Sequence, residues 1–408
     1  MAKHNAHKIF HGAPDVPDFA TASKIDDDRI GKLRTTRDSA RQAISDGFRE
    51  WGAFVKGEAF LELSYAKRSP LPSLKPKFRG QGSYKYRTMN DPAHQPPQQV
   101  DFDDGVFLPT SFVRLQGGLG PASPIVTSQG YFNLVERILA PLCDENGWEL
   151  DTSKPSCVRI VIDTANHVDF ALYAIPDEEF VALADSAALN AEIAKDAGDL
   201  LSINERVYRE LDPTQIMLAH RTEGWKASDP RKLEDWFKDA IDTHGDQLRR
   251  VCRYLKAWRD FNWVKGCKLS SITLMKCAVD AFDDVRGTIN DKRDDAALLI
   301  VAKRLPEFFQ NPEGIKNPVL PDQSLNDNWD SECREAYIAK ATHLIERLST
   351  AIEGSNSAKD TIKQLRDVFG TRIPNDESLV TPISAETIVK QYPATKVPAP
   401  SVMRTTSG

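Results

Sequence analysis

Hydrophobic residues change their spacing twice along the chain. From Asp26 to Phe54 they recur at three- and four-residue steps after an Asp-rich start, which predicts one long helix. Apolar and β-branched runs follow at 100–109, 158–163 and 168–175, and they predict strands, the last two joined as a hairpin. We therefore expect a sheet with the long helix behind it as a spine.

Helical spacing returns in the second half of the chain. It covers an Ala-rich segment and five further segments: 177–200, 233–265, 272–282, 296–309, 329–353 and 360–369, the last closed by Gly370. Because strands precede these helices, the sequence predicts an α+β protein with a sheet lobe and a helical lobe.

The two ends of the chain lack this periodicity. Residues 1–24 carry charge but no long apolar stretch, and residues 371–408 are rich in Pro, Thr and Ser. Such segments bury too little apolar surface to offset the entropy lost on ordering. We therefore divide the chain into a flexible leader (1–24), the spine helix and core (25–230), a helical lobe (231–370) and a flexible tail (371–408).

The composition restricts the class of function. A chain of 408 residues with 40% hydrophobic residues can bury a large core in two or three lobes. A net charge of −6 without a long basic run argues against binding of polymeric nucleic acid. The six cysteines have no zinc-like spacing, which fits a reducing cytoplasm, and no run approaches a membrane span. We expect a cytoplasmic protein that does not engage a membrane.

Three aspartates on predicted strands form the candidate catalytic centre. Asp101 and Asp103 are two positions apart, so both point to one face of their strand while Phe102 points into the core. Carboxylates about 6–7 Å apart on a strand face can share Mg²⁺, which prefers oxygen ligands. Asp169, on another strand, would complete a clamp for two ions, as two-metal nucleotidyl transfer requires.

A Gly-Ser turn precedes the first of these strands. Gly82 lets the backbone approach a triphosphate because no Cβ intervenes, and the Ser83 hydroxyl with the following N–H groups can bind its β- and γ-phosphates. Taken singly, the Asp-x-Asp could be an acidic turn and Asp169 an edge-strand surface residue. In this order, each beside a strand, the three features predict a nucleotidyltransferase.

Longer phrases around these residues resemble one family. They are Gln81-Gly-Ser-Tyr-Lys-Tyr-Arg-Thr88, the Gln-rich Gln95-Pro-Pro-Gln-Gln99, Val100-Asp-Phe-Asp-Asp-Gly-Val-Phe-Leu-Pro109 and His167-Val-Asp-Phe-Ala-Leu-Tyr-Ala-Ile-Pro176. Together they are similar to the bacterial cGAS/DncV-like nucleotidyltransferases (CD-NTases), above all to the cyclic GMP-AMP synthases of the DncV type from anti-phage CBASS operons. The resemblance runs from about residue 24 to about residue 370.

The resemblance implies a fold and a reaction. The fold is a polymerase-β-like palm sheet with a long N-terminal spine helix and a C-terminal helical lobe, in the bilobed arrangement of OAS- and cGAS-like enzymes. The reaction joins ATP and GTP into 3′–5′-linked cyclic GMP-AMP with two Mg²⁺ ions, or with Mn²⁺ in their place. The product would act on a downstream effector as a second messenger in anti-phage defence.

The resemblance also implies a set of nucleotide-binding residues: Gln81, Gly82, Ser83, Tyr86, Arg159, Lys256, Ser270 and Asp322. Among them, Lys256 and Ser270 match the helical-lobe Lys and Ser that hold the triphosphate. A late aspartate is expected to read a base, and Asp327 remains an alternative to Asp322 for that role.

The end of the chain adds a second expectation. In relatives encoded beside an E1–E2-like ligase, the C-terminal glycine is joined to target proteins, so the resemblance implies that role for Gly408. Two alternatives to cyclic GMP-AMP synthesis stay open. The same acids would serve a synthase of another cyclic or linear oligonucleotide, and the chain could act mainly as a conjugated tag or a ligand sensor. The intact Gly-Ser turn and the three aspartates favour an active enzyme.

Overall fold

The computed structural model describes residues 3–50, 75–110, 127–176, 216–287 and 289–383. Within these ranges the chain is α+β, as the sequence predicts, with one large mixed sheet and a helical lobe. Apolar side chains gather in two large hydrophobic cores. One draws on residues between 25 and 219 and packs on the sheet, whereas the other draws on residues 6–20 and 237–380 and fills the helical lobe.

The described ranges contain nine strands: β1 (His4–Asn5), β2 (Lys77–Gly80), β3 (Val100–Pro109), β4 (Glu149–Asp151), β5 (Cys157–Asp163), β6 (Asn166–Ile175), β7 (Met217–His220), β8 (Gly224–Ala227) and β9 (Thr381–Pro382). Seven of them form one sheet in the order β2-β3-β6-β5-β4, with β7 paired to β6 and β8 paired to β7. The other two, β1 and β9, pair with each other.

The pairing of β3 with β6 positions the candidate acids. The two strands are parallel, and their register places Asp101 opposite His167 and Asp103 opposite Asp169. On its other side β6 pairs with β5 as the predicted antiparallel hairpin, which sets Arg159 opposite Asp169. β6 is buried along its whole length because β3 pairs with it on one side and β5 and β7 pair with it as well. Asp169 is therefore a central-strand residue and not an edge residue.

The same ranges contain eleven α-helices: α1 (His7–Phe10), α2 (Phe19–Ala22), α3 (Asp27–Arg49), α4 (Gly82–Lys85), α5 (Ser128–Asn146), α6 (Pro230–His244), α7 (Asp246–Asn262), α8 (Ser271–Asp284), α9 (Asp294–Gln310), α10 (Ser331–Ser349) and α11 (Ala358–Phe369). α3 is the predicted spine helix. Its N-cap is Asp26, whose carboxylate accepts a hydrogen bond from the Arg29 backbone N–H at 2.7 Å. Its apolar face packs on the sheet through residues such as Leu33 and Phe48, so the predicted amphipathic helix is confirmed.

The helical lobe follows the predicted segments with one difference. Residues 233–265, predicted as a single helix, form α6 and α7 with a break at Gly245, whose φ of +79° departs from helical backbone. α10 continues into a π-helical turn at Thr350–Gly354, and α11 ends at Gly370 as predicted. No helix in the described part of the chain is long and apolar enough to cross a membrane.

The leader predicted to be flexible is folded in the structure. Ala6, Ile9, Phe10 and Phe19 are fully buried in the core of the helical lobe. The Ala6 backbone N–H donates to the buried carboxylate of Asp295 at 2.9 Å. The prediction was wrong because α1 and α2 have only four residues each, too short for a periodic pattern, and long-range contacts order them.

The predicted flexible tail also begins too early. Ile373, Leu379 and Val380 are buried against the helical lobe, and Thr381–Pro382 forms β9. Residues 384–408, including Gly408, lie outside the described residues. The predicted helix at 177–200 and the predicted last turn of the spine helix at 51–54 lie outside them as well.

Candidate active site

The three predicted acids come together where β3 and β6 run side by side. The predicted alternation on β3 is confirmed, because Phe102 is buried while the Asp101 side chain is 49% exposed. Asp103 lies two residues further along the same face, directly opposite Asp169 in the parallel register. A carboxylate triad is thus built from two neighbouring strands whose pairing is fixed by buried side chains on the opposite face.

Gly82 packs directly against this triad. Its φ is +67°, and a Cβ added to it would lie 1.9 Å from Oδ2 of Asp103, far inside van der Waals distance. The adjacent Gln81 backbone N–H donates to the Asp103 carbonyl oxygen at 3.2 Å, which ties the Gly-Ser turn to β3. Only glycine therefore fits here, and the close approach that requires it is to the Asp103 carboxylate.

A cavity of about 560 Å³ opens above Asp101 and Asp103, whereas Asp169 lines neither this cavity nor the smaller one beside it. It is lined by most of the residues that the sequence predicted to bind nucleotide or metal: Gly82, Ser83, Tyr86, Asp101, Asp103, Arg159, Lys256 and Ser270. A second cavity of about 230 Å³ is lined by Gln81 and Tyr173 and shares Gly82, Tyr86 and Asp103 with the first. The two cavities therefore meet at the Gly-Ser turn and Asp103.

The pKa values of Asp101 and Asp103 are shifted in opposite directions. Burial raises the pKa of Asp103 well above its usual value, and the charges of Asp101 and Asp169 raise it further. Partial loss of hydration also favours the neutral form of Asp101. A hydrogen bond from His167 and nearby positive charges outweigh this effect and lower the pKa of Asp101. The triad thus concentrates negative charge that a bound cation would relieve.

Arg159 forms an ion pair with Asp169, the third acid. Its Nε and Nη2 donate to the two carboxylate oxygens of Asp169 at 2.7 and 2.6 Å. This bidentate pair, together with the charge of Asp101, raises the pKa of the arginine despite its burial. Arg159 lines the cavity, as expected of a nucleotide contact, but its present partner is the acid beside it.

Two helical-lobe residues complete the cavity wall. The buried Lys256 ammonium donates to the Thr88 carbonyl oxygen at 2.7 Å, and burial, aided by the charge of Arg259, lowers its pKa to about 8. Ser270 is the N-cap of α8, and its Oγ accepts a hydrogen bond from the Thr273 backbone N–H at 3.1 Å. Both residues line the cavity from the helical lobe, and Asp101 and Asp103 line it from the sheet.

The expected base-reading aspartate is not brought into either cavity. Asp322 is exposed on the loop after Leu320, and Asp327 accepts a hydrogen bond from the Ser324 backbone N–H. Neither residue lines the two cavities, although Asn317 and Leu320 of the same loop line the smaller one. The loop is near the site, but the structure places neither aspartate there.

His167 is a site residue that the sequence reasoning did not assign. Its Nε2 lies 3.0 Å from Oδ1 of Asp101, and ligand atoms of Asp101, His167 and Asp169 all lie within 4.8 Å of one another. Such a cluster could hold a divalent metal ion. A signal was available in the sequence, because His167 is two positions before Asp169 and so shares its strand face.

Comparison with known proteins agrees with this geometry. The profile of the DncV-like cyclic GMP-AMP synthase nucleotidyltransferase domain matches residues 76–173, and that of the cyclic GMP-AMP synthase C-terminal domain matches residues 245–382. A cyclic GMP-AMP synthase of Vibrio cholerae serotype O1 is 32% identical over 332 residues, which cover 78% of this chain and 72% of that protein. A cyclic GMP-AMP synthase of Escherichia coli strain TW11681 is 31% identical over 334 residues, covering 79% and 74%.

Solved structures give the same result. The chain superimposes on the V. cholerae DncV cyclic AMP-GMP synthase in complex with the linear intermediate 5′ pppA(3′,5′)pG with a TM-score of 0.75 and 28% identity, covering 94% of this chain and all of that one. The V. cholerae di-nucleotide cyclase in complex with GTP and 5MTHFGLU2 gives 0.73 and 28%, covering 93% and 99%.

Proposed function

This chain belongs to the DncV-like family of cyclic GMP-AMP synthase nucleotidyltransferases, and from that premise we propose that it joins ATP and GTP into 3′–5′-linked cyclic GMP-AMP. The observation that carries the proposal is that two cavities meet at Asp103 and Gly82, with Asp101 lining the larger one. Two adjoining cavities that share Asp103 offer room for two nucleotides beside one set of acids.

The acids suit a hard divalent cation. Asp101, Asp103 and Asp169 offer carboxylate oxygens, which Mg²⁺ prefers. Burial raises the pKa of Asp103 most, and the charges of Asp101 and Asp169 raise it further by a repulsion that a cation would remove. We propose that these three residues hold two Mg²⁺ ions, with Mn²⁺ as a substitute. Bound ions of this kind neutralise phosphate charge and lower the pKa of an attacking hydroxyl.

The residues of the chain then orient the substrates. In this proposal Ser83 and Lys256 bind the triphosphate of the donor nucleotide, one from each lobe, and Arg159 exchanges Asp169 for a phosphate when nucleotide enters. Gln81 and Tyr86, which line the smaller cavity, contact the second nucleotide. A ribose hydroxyl loses its proton and bonds to the α-phosphorus, and the bond to the leaving pyrophosphate breaks. A second transfer of the same kind closes the ring.

Further parts of the proposal rest on the family resemblance. The product would be a second messenger in anti-phage defence that acts on an effector, and Gly408 would be joined to target proteins by an E1–E2-like ligase. Asp322 would read a base if the loop from Asn317 onward moves toward the smaller cavity. We also propose a cytoplasmic location, which the six free cysteines support.

Product analysis by mass spectrometry tests the proposal. The protein is incubated with all four nucleoside triphosphates and Mg²⁺, beside the double variant Asp101→Ala/Asp103→Ala. A matched control removes two exposed acids of α10, Glu332→Ala/Glu335→Ala. We expect cyclic GMP-AMP from the wild type and the control and none from the double variant.

The other outcomes are equally informative. A different cyclic or linear oligonucleotide would keep the active site and replace the proposed product. Turnover that survives in the Asp101→Ala/Asp103→Ala variant would refute the catalytic assignment of both acids. Absence of any product from a wild-type protein that still binds nucleotide would favour the sensor alternative.

A further inference from the structure

The imidazole of His167 lies between Asp101 and Gln99, and all three residues line the larger cavity. Its Nε2 lies 3.0 Å from Oδ1 of Asp101, and its Nδ1 lies 3.0 Å from Oε1 of Gln99. The ring is almost enclosed, with 6% of the side chain exposed, whereas the Asp101 side chain is 49% exposed toward the cavity. Its nearest approach to Asp169 is 4.0 Å, too long for a hydrogen bond. The histidine therefore serves Asp101 and not Asp169.

Gln99 is itself held by Asp163, the last residue of β5. Its amide nitrogen donates to the carbonyl oxygen of Asp163 at 3.1 Å, which directs the amide oxygen toward His167. The Asp163 carboxylate accepts hydrogen bonds from the Ala165 backbone N–H at 2.9 Å and from the Lys32 ammonium of the spine helix at 2.6 Å. A continuous series of contacts thus leads from the spine helix to the first catalytic acid.

We propose that His167 is a positioning residue that fixes the Asp101 carboxylate for metal binding, and that Gln99 fixes His167. In this role His167 is not itself a metal ligand. Both of its ring nitrogens face oxygen acceptors, so both contacts are hydrogen bonds when each nitrogen carries a proton, and such a ring has no lone pair for a metal. Imidazole suits Zn, Cu, Fe and Ni, whereas carboxylates suit Mg²⁺ and Mn²⁺. The proposal rests on the proposed function in one respect only, that Asp101 binds a divalent ion.

The physical reason is the exposure of Asp101. A half-exposed carboxylate on a strand would sample several rotamers, and ordering it costs conformational entropy each time a metal binds. A hydrogen bond from a buried ring fixes one oxygen, Oδ1, and leaves the other directed away from the ring. Partners of this kind behind a metal ligand are typically worth about 10- to 100-fold in metal affinity or activity.

Binding of Mn²⁺ to the nucleotide-free protein tests the proposal without turnover. Mn²⁺ is measured by electron paramagnetic resonance in protein whose histidines carry ¹⁵N, so that a directly bound imidazole gives a ¹⁵N coupling. We expect no such coupling in the wild type. We expect His167→Ala and Gln99→Ala each to weaken Mn²⁺ binding about 10-fold or more, although Gln99 is one residue removed from the ligand.

Two further variants separate positioning from general destabilisation. His167→Gln places an amide near the position of Nε2 and is expected to recover most of the Mn²⁺ affinity. The double variant His167→Ala/Gln99→Ala is expected to lose no more than the weaker-binding single variant, because both act through one contact. His343→Ala, which removes a surface histidine paired with Asp367 at 3.0 Å, is the control and should bind Mn²⁺ normally.

Each alternative result overturns the proposal in a different way. A ¹⁵N coupling that disappears in His167→Gln makes His167 a ligand. Normal Mn²⁺ affinity of Gln99→Ala beside a weak His167→Ala removes Gln99 from the arrangement. Equal Mn²⁺ binding by wild type and Asp101→Ala/Asp103→Ala shows that these acids hold no ion, in which case the proposed metal chemistry fails together with the positioning role.

Discussion

Gly82 and Gly147 have nearly the same backbone conformation but different surroundings. Gly82 has a φ of +67° and Gly147 a φ of +66°, so an L side chain strains both equally. A Cβ at Gly147 would have no atom within 4 Å, whereas a Cβ at Gly82 would meet the Asp103 carboxylate at 1.9 Å. The two positions therefore differ in the neighbouring Asp103 carboxylate and not in backbone conformation.

This pair gives a matched prediction. Backbone strain should cost Gly82→Ala and Gly147→Ala about 1–2 kcal/mol of unfolding free energy each, and the clash with Asp103 should add to the cost of Gly82→Ala alone. Gly82→Ala alone should lower kcat by about 100-fold or more, because the Asp103 carboxylate must move by ångströms. Steady-state kinetics and chemical denaturation measure the two effects. Equal kcat for the two variants would show that contact with Asp103 is not required.

The charge of Lys256 is expected to make nucleotide binding depend on pH. Its pKa of about 8 lies below the usual value for lysine, so its ammonium is lost as the pH rises through that value. If the ammonium binds triphosphate, the KM for the donor nucleotide should rise about tenfold between pH 7 and pH 9. The measurement is KM against pH for the wild type and for Lys256→Arg.

Lys256→Arg should flatten this profile because arginine stays charged over the whole range. Lys340→Arg, an exposed replacement of the same kind on α10, should leave the profile as in the wild type. A KM that is constant from pH 7 to pH 9 in the wild type would contradict the role of Lys256 in triphosphate binding.

At the scale of elements, sequence periodicity predicted those helices and strands that depend on local sequence. The spine helix, β3 and the β5–β6 hairpin follow from periodicity, and the structure confirms all three. The parallel pairing of β3 with β6 does not follow from any short segment, because it depends on buried contacts between distant residues. That register brings His167 to Asp101, so its partner could not be named from sequence, although its place two positions before Asp169 already put it on the same strand face.

The folded N-terminal segment is the clearest case of structure set by long-range contacts. The Phe10 ring lies 5.1 Å from that of Tyr254 and 5.8 Å from that of Phe369, inside the helical-lobe core. Next to it the buried Asp294 accepts hydrogen bonds from Arg250 and Tyr254, which hold its pKa well below the usual range. Residues 6–20 thus act as part of the helical lobe although the sheet lobe follows them in sequence.

This packing predicts a stability effect far from the active site. Phe10→Ala should lower the free energy of unfolding of the protein by about 3–5 kcal/mol, through lost burial and the cavity left behind. Lys8→Ala, an exposed change on the same short helix, should lower it by less than about 0.5 kcal/mol. Urea denaturation followed by circular dichroism measures both, and equal midpoints would show that the segment does not support the lobe.

At the scale of the whole molecule, the site is shared between two lobes with separate cores. β3 and β5 supply Asp101, Asp103 and Arg159, and the helical lobe supplies Lys256 and Ser270 across the cavity. Motif resemblance predicted these residues because each lies in a conspicuous phrase of sequence. It could not fix the late aspartate, since the loop from Asn317 to Asn328 has no regular pattern and its placement depends on tertiary contacts alone.

The pairing of β1 with β9 has a consequence for how the chain is made. His4–Asn5 meets Thr381–Pro382, and Ile9, Phe10 and Phe19 belong to a core whose other members lie between 237 and 380. Because a ribosome releases the chain from the N-terminal side, residues 6–20 emerge long before their partners exist. Their apolar side chains stay uncovered while the sheet lobe forms around its own core. Residues 6–20 are thus synthesised before the sheet lobe but reach their native neighbours after it.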